Sequence, residues 1–135
     1  MVDASYVMQT HEKYPDTAAA DDIAWFLVTN GVRGECEGDV SCYIDKQNQL
    51  NGQYLRWHPH GRHVDESHAD IARRLNGVMD NLRAFPLVLQ EFDPGTRCGE
   101  LHASLDPLVA VVTATTSARK AEALAATDRF AQLCR

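Results

Sequence analysis

Apolar residues recur along much of this chain at intervals of three and four, the period of helices that bury one face. The clearest run is Ile71, Leu75, Val78, Leu82 and Phe85, spaced four, three, four, three without a break. Asp65 stands where this helix needs an N-cap, and Pro86 stands where it must stop or kink. Upstream, Tyr43, Gln47, Leu50, Tyr54 and Trp57 repeat the spacing, widened by Ile44 and Leu55. They predict a helix that begins at Ser41 and runs to about Trp57, with Gly52 a weak point inside it. Pro15-Asp16-Thr17, followed by three alanines, Asp21 and Asp22, reads as another helix start. Cap oxygens satisfy the free N–H groups there, and early acids oppose the helix dipole. Ile23, Phe26 and Leu27 supply its apolar face, and Asn30-Gly31 ends it.

Beyond Pro86 the pattern is less regular. Residues 87–92 continue the apolar character without a clear period, and Asp93-Pro94-Gly95 reads as a turn. A short helical turn is expected around Leu101 and Leu105. A separate helix follows, capped by Asp106 with Pro107 at its first position and Leu108, Val109 and Val112 facing inward. The β-branched residues within 111–116 should interrupt that helix, and Ser117 should cap a last Ala-rich helix reaching about Leu133. Residues 1–14 show no period and read as a loosely structured lead-in. No repeat and no alternating strand pattern occurs. The expectation is an all-α fold in which residues 1–135 form a single-domain bundle of four to six helices, mostly antiparallel where connections are short.

Length and composition agree with that picture. A chain of 135 residues, 44% hydrophobic and 24% charged, can bury a core without metal or disulfide staples. Its longest apolar run, residues 23–28, is far too short for a membrane span. Charge is uneven: residues 1–50 hold nine acids and three bases, whereas residues 51–135 hold ten of each. The net charge of −6 therefore originates in the first half. Basic residues are scattered among acids, which argues against nucleic acid as a partner. An acidic half suits steering of a basic protein partner, or simply a solvated face. The first residues contain neither a basic nor an apolar segment of the kind that begins a signal peptide. A cytoplasmic protein and an exported one whose leader has been removed both fit.

Four cysteines bear on that choice. Cys36 and Cys42 flank a five-residue turn, Cys98 follows the Asp93-Pro94-Gly95 turn, and Cys134 is the penultimate residue. Their positions in loops and at ends predict two disulfides, Cys36 with Cys42 and Cys98 with Cys134, and slightly favour an exported (periplasmic or secreted) location. The competing reading is four reduced, half-buried thiols. None lies in a Cys-x-x-Cys unit. The early Cys-x5-Cys followed by Tyr43-Ile44, with a late closing cysteine, resembles small exported bacterial inhibitor and immunity proteins that are helical and disulfide-tied. That resemblance covers only the placement of the cysteines, because the long interval between Cys42 and Cys98 departs from their spacing.

One stretch is chemically loaded. His58, His60, His63 and His68 fall within eleven residues, and the first three could present imidazole nitrogens to a Zn, Ni or Cu ion. The spacing His-x-His-x-x-His is similar to the His-x-His-x-Asp-His signature of the metallo-β-lactamase superfamily. Here Arg62 replaces the Asp, and the β-rich domain that superfamily needs exceeds this length, so membership is excluded. A polar interhelical loop with solvated or capping imidazoles is the simpler expectation, with no cofactor ahead of a metal. Ser41, Ser67 and Ser104 carry no nucleophile signature, and Glu91 with Asp93 read as solvated loop charges rather than a catalytic pair. Trp25, Phe26, Tyr43, Tyr54 and Trp57 concentrate in the first two helices. The leading expectation is therefore a non-enzymatic protein-binding domain, an inhibitor, immunity or adaptor protein. Glu35, Glu37, Asp39, Tyr43, Tyr54 and Trp57 would meet its partner. A metal-binding protein using His58, His60 and His63 is the alternative.

Overall fold

The computed structural model describes residues 9, 11–13, 15–31, 34–86 and 92–135. Six α-helices account for most of them: α1 Ala18–Asn30, α2 Val40–Gln47, α3 Gln53–Trp57, α4 Val64–Ala84, α5 Pro94–Ala114 and α6 Lys120–Ala131. No strand occurs among the described residues. Buried side chains from all six helices join one apolar cluster, including Val28, Ile44, Leu55, Ile71, Leu75, Leu108, Val112 and Phe130.

Helix ends follow local chemistry, with some shifts from the sequence expectation. Thr17 caps α1 by accepting the Ala20 N–H at 3.1 Å. Asp39 caps α2, where its carboxylate accepts from Ser41 and Cys42. The expected single helix over residues 41–57 is interrupted by a π-turn, Asn48–Gly52. The extra residue in that turn brings Asn51 fully inside. Asn51 donates to Gln47 Oε1 at 2.9 Å and Asp70 Oδ2 at 2.8 Å, and its own Oδ1 accepts from Ser67 at 2.8 Å. A buried amide with its partners assembled costs little, so the irregular turn is stable.

Asp65 does not cap α4. The helix begins one residue earlier, with His63 at the cap, and Asp65 and Glu66 lie in its first turn. The backbone N–H of His63, the cap residue, finds its acceptor in the Tyr54 hydroxyl at 2.9 Å, which anchors the start of α4 to a neighbouring helix. In α5 the expected turn and separate helix are one continuous element. Asp93 caps it through the Gly95 N–H, and Pro107 sits inside it. Pro107 removes a helical N–H, but Ala103 and Pro107 are exposed, so water can satisfy the released Ala103 carbonyl. The opposite face keeps Leu101, Leu105, Leu108 and Val112 buried. The expected β-branched interruption comes only at Thr115, after the helix ends. Ser117 accepts the Arg119 N–H at 3.1 Å, but α6 itself starts at Lys120 and gives way to a 3₁₀ turn, Gln132–Cys134.

The most extensive helix pairing, α4 with α6, is between segments separated in the chain by α5. His68 near the start of α4 bonds Ser117 and Thr115 just before α6, while Arg129 near the end of α6 bonds Asn76 and Asp80 near the end of α4. These two helices therefore run in the same direction, and α5 returns between them. The antiparallel expectation holds for α5 with α6, which short residues 115–119 connect. Both disulfides are formed as expected, Cys36–Cys42 and Cys98–Cys134. The second ties the start of α5 to the chain end beyond α6. The lead-in, residues 1–14, lies mostly outside the described residues, but residues 11–13 are helical. Of the apolar continuation over residues 87–92, only Phe92 is described.

Candidate functional site

Residues 57–63 wrap around the first turns of α1 and create a corner rich in imidazoles. Its base is Tyr54, 1% exposed, whose hydroxyl donates to Asp21 Oδ1 at 2.5 Å. Asp21 Oδ2 accepts the Arg62 backbone N–H at 2.8 Å. Burial, then the hydrogen bond to Asp21, push the Tyr54 phenol well above its ordinary pKa, so it stays protonated as a donor. Gly61 is required here by space: a β-carbon at that position would fall against the Tyr54 hydroxyl and the Asp21 carboxylate.

Two imidazoles flank the Tyr54 ring, at centroid distances of 5.7 Å for His58 and 6.1 Å for His63. His63 stacks on Trp25, with Nε2 2.9 Å from Asp22 Oδ1 and Nδ1 3.2 Å from Glu66 Oε1. Partial burial opposes its protonation, but the two carboxylates outweigh that and hold the imidazole above its ordinary value. Asp22 is held low, first by this hydrogen bond and then by Arg62, whose guanidinium pairs with it at 2.5 Å. His58 turns the other way. Its Nε2 lies 2.8 Å from Nε2 of His11, a residue only 5% exposed and stacked on Trp57 at 4.1 Å. Burial, with the His58 imidazole adding to it, lowers the pKa of His11. His60 is exposed on the turn between them.

The expected metal trio is thus not assembled. His58 is engaged by His11, His63 by Asp22 and Glu66, and no group of three metal-ligating side chains converges among the described residues. The turn separates them: His58 packs toward His11, His63 toward Trp25 and Asp22, and His60 faces outward. His68, the fourth of the cluster, is wholly buried and bonds Ser117 Oγ at 2.6 Å and Thr115 Oγ1 at 2.8 Å. Burial, and then the nearby Lys120, lower its pKa, so it serves as a neutral brace.

The expected partner-binding residues divide between two places. Glu37 and Asp39 are exposed on the loop closed by the Cys36–Cys42 disulfide, and Glu35 is exposed just before it. That loop turns through Glu37 and Gly38, both in the left-handed region at φ 50° and 84°. Tyr43, half-buried, accepts the Gly38 N–H at 3.3 Å and fastens the turn to α2. Trp57 is half-buried beneath His11, and Tyr54 lies in the core, out of reach of a partner. Aromatic residue type at helical spacing suits core and surface alike, and burial separates them only after folding.

Sequence reasoning missed His11, Asp21 and Asn51 as structural anchors. Asp21 shares the stripe of Ala24 and Val28, and Asn51 that of Gln47 and Tyr54, so a polar residue on a buried stripe was the available signal. For His11 no pattern pointed inward. Comparison with family models, curated proteins and solved structures found no match to this chain.

Proposed function

We propose that this chain is a protein-binding domain that engages a basic partner through the disulfide-closed acidic loop and the adjoining face of α2. One observation carries the reading. In the second half of the chain, Asp70, Asp80, Glu100, Glu122 and Asp128 each pair with an arginine. In the first half, the exposed acids Glu35, Glu37 and Asp45 have no basic partner among the described residues. Part of the charge asymmetry of the sequence thus persists after folding as exposed, unpaired carboxylates around this loop, with Arg97 and Lys46 nearby, an arrangement suited to steering a cationic surface. The disulfide, the Asp39 cap and the Tyr43 bond hold the loop in one shape, which lowers the ordering cost of association. Two disulfides suit an oxidising compartment, and we extend the reading to an exported protein. No helix among the described residues is long and apolar enough to cross a membrane.

The test is association kinetics with a partner captured on the tagged chain and then purified. Replacing both Glu35 and Glu37 by Lys should slow association about tenfold at low salt and flatten its salt dependence. Stability should shift by less than about 0.5 kcal/mol, because neither side chain is paired. Asp39 is left intact because its carboxylate caps α2. Tyr43→Ala should instead speed dissociation. A partner whose association rate ignores the double reversal overturns the reading.

A further inference from the structure

The pairing of His11 with His58 joins residues 47 positions apart through their Nε2 atoms alone. A hydrogen bond between two imidazoles needs a lone pair on one of them, so at least one ring is neutral in this arrangement. His11 is nearly inaccessible, and among the described residues neither ring has another hydrogen bond. Trp57 stacks on one of the rings and fixes its plane, and the two rings meet edge to face at 89°. The two Nε2 atoms thus face each other, and His58 also lines a recess of about 350 Å³ together with Asp16, Trp57 and His60.

We infer that His11 and His58 form a binding site for one late first-row divalent metal ion, Zn(II) or Cu(II), with the recess supplying room for water to complete the coordination. Tetrahedral coordination at metal–nitrogen distances of about 2.0–2.1 Å places two imidazole nitrogens about 3.3 Å apart, so to admit the ion the rings must separate by about 0.5 Å and tilt, turning both Nε2 lone pairs off the line between them. The chemistry favours imidazole-preferring metals, with Cu(II) bound more tightly than Zn(II). Because no third protein ligand converges among the described residues, the ion is exchangeable and its outer positions remain open to small ligands. This site differs from the histidine spacing legible in the sequence, since it replaces His63 with a residue from the lead-in.

Calorimetric titration of the purified chain with zinc chloride and with copper(II) chloride, near neutral pH, tests it. One equivalent should bind, and His11→Gln and His58→Gln should each weaken it at least about tenfold. His63→Gln and His102→Gln should leave binding unchanged. A second measurement avoids reliance on the stability of those variants. In Trp25→Phe the remaining tryptophan is Trp57, stacked on His11, and its fluorescence should be quenched by stoichiometric Cu(II). Absence of saturable binding, binding that survives both His11→Gln and His58→Gln, or loss of binding with His63→Gln overturns the inference. Unquenched Trp57 fluorescence at saturating Cu(II) does so as well.

Discussion

Between α4 and α6 the contact is built from Ile71, Leu75, Met79 and Leu82 with Ala123, Ala126 and Phe130, all 5% exposed or less. Around α1 and the turn after Trp57, the same task falls to a phenol, carboxylates and imidazoles: Tyr54 on Asp21, His63 on Asp22 and Glu66, His11 on His58. The first region depends mainly on volume and close contact, which a change of pH leaves intact except at the buried His68 on its edge. The second depends on direction and protonation, so a small chemical change at one atom can undo it. The difference teaches that a short chain can place a chemically responsive corner on a scaffold whose stability comes from elsewhere.

Removing volume from the apolar region should have the largest effect. Phe130→Ala empties a fully buried site and should cost about 3–5 kcal/mol, measured by denaturant unfolding. A loss below about 1 kcal/mol would mean that α6 contributes little to the core. Replacing Cys98 and Cys134 together by Ser releases the chain end that follows α6 and should cost about 2–4 kcal/mol. The same exchange at Cys36 and Cys42, which closes a much shorter loop, should cost less.

The directional region should respond differently. Tyr54→Phe preserves the ring but removes the donor to Asp21 Oδ1 and the acceptor of the His63 backbone N–H, and should cost about 1–3 kcal/mol. An isosteric ring change at no cost would show that water replaces the hydroxyl and that the corner is looser than its geometry implies. The smallest effect concerns pH. The raised pKa of His63 means that its contribution is complete below the unfolded value of about 6.5 and disappears as pH rises through the folded value. His68, held low, works with the opposite sign: its contribution is complete above about 6.5 and fades as pH falls through the folded value. His63→Gln should therefore destabilise more at about pH 5.5 than at about pH 8, by under about 1 kcal/mol, because the partly exposed pair is screened. Equal destabilisation at both would remove the ionic contribution from the comparison.

Periodicity and placement decided much of this protein before folding is considered. The 71-75-78-82 stripe, the Thr17 and Asp39 oxygens ahead of their helices, and cysteines at turns and ends are local features, and each acts over a few residues. The stripe and the Thr17 cap were legible because helix propensity, capping and apolar spacing are properties of short segments, whereas the Asp39 cap was not foreseen and Phe85, the expected end of the stripe, lies exposed just beyond α4. What they could not express is which residues distant in the chain meet. Pro107 continues a helix because its outer face is wet and its inner face is buried, a fact about α5 in the bundle rather than about proline. Asp65 falls inside the first turn of α4 because the helix begins at Val64, where the Tyr54 hydroxyl from another helix holds the His63 N–H. The histidines of residues 58–63 separate because Tyr54 and Asp21 hold the turn between them, and His58 finds its partner 47 residues away. Only the tertiary structure decides such meetings, because each depends on burial and on the simultaneous position of several helices, neither of which exists until the chain has packed.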